Sequence, residues 1–327
     1  MLIIVKHSFK NVLMENSIKK EWLILVNPNA GVGKGFKDWE DISNILNEHN
    51  FEYEAVFTER KLHAIELVQE KIAEGFRKII VVGGDGTMNE AVNGIFQQEI
   101  VPTTEITLGM ISVGTGNDWV KTFNMPVDYV EAISIIKEEQ TLLQDAGIVK
   151  FYNETIQKIR YFVNMAGLGF DAMVANKTNL DKENGKSNPL LYIKNLISVL
   201  FSYKSTNTKV TVDNHVVNDR IFSIGIGIGQ YNGGGMQQTP NAIPDDGLLD
   251  VTLIKHMSPL RVIASVRRLY NGTIAKHKRV ETFVAKSIFI ESKIPIMIEA
   301  DGESLGHSPL EFGIVPKSVK VIVNRRA

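Results

Sequence analysis

The chain contains no cysteine, which excludes disulfides and thiolate metal sites and makes a reducing compartment, the cytoplasm, the fitting expectation. It has almost no net charge: 36 Lys and Arg stand against 37 Asp and Glu, a balance of −1. That balance lacks the basic footprint of a nucleic-acid binder. Long hydrophobic runs are missing too. None approaches the ~20 apolar residues that cross a bilayer. Leu2-Ile3-Ile4-Val5 is too short for a signal core and has no small-residue cleavage site behind it. A membrane partner is therefore expected to be met from the surface. The seven histidines are scattered, with no His-Glu-x-x-His pair and no ligand cluster. Internal repeats and low-complexity tracts are also absent.

What is there is a chain of 327 residues, 44% hydrophobic and 22% charged. This is the composition of a globular protein too long for one core, so two domains are expected. The stretch from Lys78 to Phe96 organises it. Ile79 to Val82 are apolar and β-branched without alternation, which predicts a strand buried on both faces. Gly83, Gly84 and Gly86 then clear side chains from around Asp85. From Met88 the apolar period turns helical, with Ala91, Val92 and Ile95 on one face. Strand, glycine turn and helix start make an anion site, because N–H groups converge there and the helix dipole favours phosphate. An acid among phosphate ligands repels them unless a cation intervenes. Asp85 therefore points to Mg2+, which takes one or two carboxylates together with phosphate oxygens. The competing reading is a plain tight turn with an Asp cap. A Walker A loop is excluded, since no Gly-x-x-x-x-Gly-Lys-Ser/Thr string occurs.

Around this centre the pattern predicts strand 22–26, a glycine-rich loop 27–35, helix 39–47, strand 53–57 ending at Thr58 and helix 62–74. After helix 88–96 come strand 107–113, closing on Gly114-Thr115-Gly116-Asn117-Asp118, and helix 128–139. Such an alternating order delivers its polar loops to the carboxyl edge of a parallel sheet, where open α/β folds bind ligands. Past about residue 147 the texture changes. Short strands at 161–164, 209–212, 222–228, 249–254, 287–290 and 296–299 predict a sandwich- or barrel-like domain. Helices 189–201 and 259–270 interrupt it, and 179–188 reads as a polar loop. The expected division is an extension 1–20, a nucleotide-binding α/β domain 21–146, a β-rich substrate domain 147–315 and a strand 316–327 able to return to the first domain. Gly233-Gly-Gly235 is expected to shape a cleft wall. Two stretches are candidates for membrane contact. One is the apolar face Leu190, Leu191, Ile193, Leu196, Ile197, Leu200 and Phe201, flanked by Lys186, Lys194 and Lys204; the other is Lys255–Val280, with seven Lys and Arg and no acid.

Asn27-Pro28-Asn29-Ala30-Gly31, Gly83-Gly84-Asp85-Gly86-Thr87-Met88-Asn89, Gly114-Thr-Gly-Asn-Asp118, Asp245-Asp-Gly247 and Asp301-Gly-Glu303 occur in that order. The set resembles the diacylglycerol kinase catalytic family in its soluble bacterial lipid-kinase branch, from about residue 21 to the end. Gly-Gly-Asp-Gly-Thr alone is shared with NAD kinases, and the later motifs narrow the choice. The resemblance implies a Rossmann-like α/β N-terminal domain of the NAD kinase/diacylglycerol kinase type, a β-rich sandwich-like C-terminal domain, and an active site in the cleft between them.

By motif, ATP would be held by Asn27, Pro28, Asn29, Ala30, Gly31, Thr58, Gly83, Gly84, Asp85, Gly86, Thr87, Met88, Asn89 and Thr115. Mg2+ would sit on Asp246 and the backbone carbonyls of Ile243 and Leu248, with a water-mediated network through Asp85, Asp118, Asp145 and Asp246. Glu303 would be the general base, with Asp85 as its catalytic companion. The implied reaction moves the γ-phosphate of ATP to a lipid hydroxyl, with diacylglycerol first among the acceptors. Alternatives left open are a sphingoid base, monoacylglycerol or phosphatidylglycerol, an NAD kinase-type nucleotide kinase, and a nucleotide- or lipid-binding regulator without catalysis. Implied partners are ATP, the lipid and a membrane surface, without nucleic acid; a homodimer stays open.

Overall fold

The computed structural model describes residues 21–183 and 189–326. The extension 1–20 and Lys186 lie outside the described residues, as do the side chains of Leu190, Leu191 and Ile193.

The first domain runs β1 (Trp22–Val26), α1 (Ala30–Lys37), α2 (Trp39–Glu48), β2 (Tyr53–Phe57), α3 (His63–Ala73), β3 (Lys78–Gly83), α4 (Asp85–Gln97), β4 (Thr107–Ser112), α5 (Asp118–Thr122) and α6 (Tyr129–Glu138). Its strands pair in parallel in the order β2-β1-β3-β4, with Ile24 opposite both Ala55 and Ile80, and Ile80 opposite Gly109. Every residue of β1 and β4 is buried, as the unalternating apolar runs require. Parallel pairing brings the carboxyl ends of β1, β3 and β4 to one edge, and the glycine loops with them.

The second domain contains β5 (Thr141–Asn153), β6 (Ile156–Phe162), β7 (Met165–Gly169), α7 (Phe170–Glu183), α8 (Pro189–Ser202), β8 (Thr206–Val212), β9 (His215–Gly227), the short pair β10 (Tyr231–Asn232) and β11 (Met236–Gln237), β12 (Leu249–Lys255), α9 (Pro259–Tyr270), β13 (Val280–Ala285), β14 (Ser287–Ser292), β15 (Met297–Ala300) and β16 (Glu303–Ile322). Strands β9, β7, β15, β16, β14 and β8 pair successively and β8 returns to β9, which closes a ring. Val149, Phe162, Leu168, Ile224, Ile288, Ile298 and Phe312 fill this domain's core.

Strand β16 joins the two domains. It pairs antiparallel with β5 from His307 to Ile322, and its Lys320 and Val321 also pair in parallel with Thr107 and Leu108 of β4. The sequence pattern predicts only a terminal strand within 316–327 here and none at 141–153. Gly306, Pro309, Gly313 and Pro316 interrupt the period along β16, which hides a continuous element. Two further differences concern the helices α4 and α7. Helix α4 starts at Asp85, three residues before the apolar period is visible, because the glycine-rich first turn carries no apolar face. The expected loop at 179–188 is helical through Glu183, since α7 buries only its first half, through Ala172 and Val174, and leaves a polar end.

Candidate active site

Loops from β1, β3 and β4 meet at the carboxyl edge, and glycine makes the approach possible. A Cβ on Gly31 would stand 1.9 Å from the Val113 carbonyl oxygen, and one on Gly114 would stand 2.7 Å from Cα of Gly84. Gly31, Val32 and Gly33 follow one another in left-handed backbone at φ 60, 63 and 80°, so the expected loop is a kinked α1 rather than open coil. Asn27 Nδ2 donates to Thr87 Oγ1 at 2.9 Å, and Asn27 Oδ1 accepts from the Asn29 N–H at 3.0 Å. This ties the first loop to the glycine turn. Thr58 is buried at the end of β2, its N–H donating to the Val26 carbonyl at 2.9 Å, and Thr115 is exposed on the neighbouring loop. The first N–H groups of α4 have no acceptor within the helix and open onto this edge.

Asp85 does not point its carboxylate freely into the cleft. Its Oδ2 accepts from the Asp118 N–H at 3.1 Å and its Oδ1 from the Trp119 N–H at 2.9 Å, so it caps α5. Burial, reinforced by the neighbouring Asp118 carboxylate, pushes the Asp85 carboxyl up to about 6. Asp118 in turn is buried. It accepts from the N–H groups of Gly234 at 2.8 Å and Gly235 at 2.7 Å and pairs with Lys121 Nζ at 2.9 Å. The Gly233–Gly235 loop of the second domain is thereby fastened to the first.

The β-rich domain closes the other side of the glycine turn. Asp301, buried, accepts from the N–H groups of Val163, Asn164 and Met165 at 3.0, 3.0 and 2.9 Å, and from Asn89 Nδ2 at 2.8 Å. Asn89 also donates to the Tyr161 carbonyl at 2.9 Å and accepts from Arg160 Nε at 2.7 Å. Met88 and Asn89 are therefore inside the protein, with Asn89 latching α4 to β6 and the turn before β16. Beyond that turn, Glu303 Oε1 lies 2.9 Å from where a Cβ on Gly86 would be. The other carboxylate oxygen pairs with Lys61 Nζ at 2.9 Å. Asn179 of α7 donates to the Gly302 carbonyl at 3.1 Å and to Ser304 Oγ at 3.3 Å, bracketing Glu303.

A second acidic group lies on the loop before β12. Asp145 sits in the middle of β5. There a break in the β5–β16 register leaves the Lys317 N–H unpaired, and Asp145 Oδ1 takes it at 2.7 Å, while Oδ2 takes the N–H of Gly247, in the loop before β12, at 2.6 Å. Asp246 is exposed, and its Oδ1 accepts from the Leu248 N–H at 2.9 Å. The four aspartates implied for one network thus fall into two groups, Asp85 with Asp118 and Asp145 with Asp246. No three His, Asp or Glu side chains among the described residues converge closely enough to hold a metal ion. One carboxylate flanked by loop carbonyls is nonetheless an oxygen donor set of the kind Mg2+ accepts alongside water. The field there also favours a cation: burial and then Asp246 and Asp245 raise Asp145, and burial and then Asp246 push Asp250 up to about 6.

Family models match both halves. The diacylglycerol kinase catalytic domain covers residues 21–149, and the YegS C-terminal NAD kinase beta sandwich-like domain covers 164–323. The chain carries a diacylglycerol kinase catalytic domain. Among its relatives are YtlR of Bacillus subtilis (strain 168), provisionally named a lipid kinase, and a diacylglycerol kinase of Staphylococcus haemolyticus (strain JCSC1435). The first is 28% identical, over 92% of this chain and 98% of its own length, and the second 28% identical, over 91% and 86%. A crystal structure from Bacillus anthracis str. Sterne, provisionally described as a diacylglycerol kinase, superposes with a TM-score of 0.74 at 27% identity, covering 94% of this chain and 99% of that one. Yeast NADH kinase shares the fold alone, at TM-score 0.53 and 11% identity over 93% of this chain and 83% of that one.

Within this kinase-family site, motif reasoning passed over Lys61, Arg160, Asp301 as a latch, and Glu90. Glu90 accepts from the N–H groups of Leu62 at 3.0 Å and Ala64 at 3.3 Å, holding the loop that carries Lys61. Only Arg160 left a trace: it shares the period-2 face of β6 with buried Phe162, and a buried guanidinium needs partners.

The raised carboxyls predict an unusual pH dependence. Asp85 and Asp250 bind a proton more tightly folded than unfolded. Their stabilising contribution is complete below the ordinary aspartate range and is lost as pH rises through about 6. Without nucleotide or divalent metal, the urea midpoint is expected to fall from about pH 4.5 to about pH 6.5 and to level off above that, and the fall is expected to shrink in Asp250→Asn. A midpoint that rises over that interval would contradict the burial of these groups.

Proposed function

We propose that the chain is an ATP-dependent lipid kinase that transfers the γ-phosphate of ATP to a lipid hydroxyl, with diacylglycerol as acceptor and phosphatidate as product. The observation that carries this reading is the approach of Glu303, from the β-rich domain, to Gly86 in the first turn of α4. A carboxylate poised against a phosphate-type helix start is what a phosphoryl transfer to an alcohol needs. The catalytic-domain match supports the kinase class, and the staphylococcal relatives named diacylglycerol kinase support the acceptor.

In this reading the N–H groups of Gly83–Thr87 and the Asn27–Gly31 loop hold the triphosphate, with Thr58 and Thr115 beside it. Asp85 acts by positioning: it holds the start of α5, and through it the Thr115 loop, against the glycine turn. Met88 and Asn89 serve the hinge between domains rather than the nucleotide. Glu303 accepts the hydroxyl proton while the acceptor oxygen bonds to the γ-phosphorus and the bond to ADP breaks, so alignment does most of the remaining work. Mg2+ would be held by Asp246 and the carbonyls of Ile243 and Leu248, and when bound would neutralise phosphate charge.

Lys61 pairs with the proposed base at 2.9 Å. It keeps Glu303 in place before substrate arrives and offers positive charge where the transferred phosphate develops negative charge. Lys61→Met is expected to lower kcat/KM by roughly 10²-fold, the scale of one lost stabilising donor, and Lys61→Arg to recover part of it. Full activity in Lys61→Met would remove the residue from the mechanism. The reading itself is tested by following labelled γ-phosphate into diacylglycerol, the other candidate lipids and NAD+ side by side. Label in phosphatidate supports it, and label only in NADP+ would replace it with a nucleotide kinase.

A further inference from the structure

We propose that the outer face of α9, with the turn that follows it, is the surface on which this protein docks to an anionic phospholipid bilayer. The proposal rests on the lipid-kinase reading for its purpose, and on the following observations for its place.

Helix α9 is amphipathic, but its outer side is not the polar side of an ordinary surface helix. Its inner residues pack into a small core: Val262 joins Met257, Ile254 and Val280 in a cluster shared with Phe170 and Val174 of α7 and Val199 and Leu200 of α8. The exposed stripe, spaced at helical intervals, is Leu260, Ile263, Ala264, Arg267 and Tyr270. Leu260 is 75% exposed, Ile263 50% and Tyr270 56%. Large apolar side chains held in water on one stripe need a partner.

The charge around the stripe says which partner. Between His256 and Arg279 there are six Lys and Arg and no Asp or Glu. No ion pair engages Arg261, Arg267, Arg268, Lys276, Lys278 or Arg279 among the described residues, whereas Lys255, at the edge, is neutralised by Asp219 and Glu281. The cations gather in space as well as in sequence. Burial, then Arg268, Lys278, Arg261 and Arg279, hold His277 below the usual imidazole range. Cations interleaved with Leu, Ile and Tyr on a helix lying flat match a headgroup region: the basic heads meet phosphate and the apolar side chains enter below it. A nucleic-acid backbone would satisfy the cations but leave the apolar stripe in water.

The position suits a kinase that takes its acceptor from the membrane. The end of α9 abuts the wall of the proposed site: a Cβ on Gly272 would fall 2.2 Å from Gln237 Oε1 in β11, directly after the Gly234 and Gly235 amides bound to Asp118. Through the shared core, α9 also braces α7, whose Asn179 brackets Glu303. Membrane attached at α9 is therefore next to two elements that touch the proposed site, β11 and α7. By contrast α8, the other candidate, exposes Ile197 and Phe201 with a single described exposed cation on the helix, Lys194.

The test is sedimentation of the full chain with vesicles of phosphatidylcholine, with and without phosphatidylglycerol, at low and high salt. Binding is expected to the anionic vesicles only and to weaken with salt. Arg261→Gln, Arg267→Gln and Arg268→Gln together are expected to reduce it about a hundredfold, while the three Arg→Lys changes retain it. Leu260→Ser with Ile263→Ser is expected to weaken it at least about tenfold, with circular dichroism unchanged for all variants. Equal binding by the triple Gln variant, binding to duplex DNA in place of vesicles, or self-association through Leu260 and Ile263 would each overturn the proposal. Phosphate transfer to diacylglycerol in nonionic micelles separates the two readings. It is expected to be unaffected in the triple Gln variant. Its absence in every form, with vesicle binding as expected, would remove the kinase reading and leave the docking surface standing.

Discussion

Glu303→Gln is expected to lower the turnover of lipid phosphorylation by ~10²–10⁴-fold, the usual value of a positioned general base, while ATP still binds. The substitution is nearly isosteric, so the side chain keeps its place over Gly86 and the cleft keeps its shape. What it removes is the proton acceptor and the charge that pairs with Lys61. The pair costs little to lose as a structural element: Lys61 is half exposed, and such ion pairs contribute ~0–1 kcal/mol. Thermal stability should therefore stay near that of the parent, and nucleotide affinity, measured by titration calorimetry, should change little. A variant that loses activity together with ATP binding would assign Glu303 to the nucleotide rather than to the hydroxyl. One that retains full turnover would show that the proton leaves another way.

The largest structural effect is expected two residues earlier. Asp301→Ala removes a buried carboxylate that accepts four hydrogen bonds, three from consecutive backbone N–H groups and one from Asn89. None of these donors can turn to water without opening the seam between α4, β6 and β16. Asp301 is also in left-handed backbone at φ 48°, a conformation that aspartate tolerates better than alanine. Breaking a buried, fully bonded charge of this kind destabilises by roughly 3–5 kcal/mol. Asn89→Ala should cost a comparable amount, since it strips the Arg160 guanidinium of its Nε acceptor and Asp301 of a donor. The two losses should be far from additive in a double-mutant cycle, because they remove one shared bond. Asp246→Ala, on an exposed side chain, should move stability by no more than ~0.5 kcal/mol. Urea denaturation of the parent and the four variants reads all of this. A loss below ~1 kcal/mol for Asp301→Ala would mean that the seam relaxes around the gap.

These two residues mark how far sequence pattern reaches. The parallel sheet was legible because strands buried on both faces are written as unbroken apolar runs, and Ile79 to Val82 could hardly be anything else. Glycines at 83, 84 and 86 were legible as a close approach, since removing three side chains around one acid has few other purposes. What no spacing reveals is which atoms meet across the fold. Asp85 reads as a metal-directed acid, yet its oxygens are occupied by amides of α5. Asp118 reads as its network partner, yet it holds amides more than a hundred residues away at Gly234 and Gly235. Asn89 lies in a motif associated with nucleotide, yet its amide serves the domain seam. Long strands suffered for a related reason: β5 and β16 cross from one domain's environment into the other's, so neither keeps a single period along its length. Lys61 had no signal at all, because a lysine in a surface loop is ordinary until the chain brings it to a carboxylate.

The most direct test of the account is transfer of labelled γ-phosphate from ATP into diacylglycerol by the parent protein, Glu303→Gln and Asp246→Ala, each assayed with and without Mg2+. The account predicts labelled phosphatidate from the parent with Mg2+, loss of at least ~10²-fold in Glu303→Gln, and unchanged folding in both variants. Label appearing in phosphatidate at the parental rate from Glu303→Gln, or in no lipid from the parent, would contradict it.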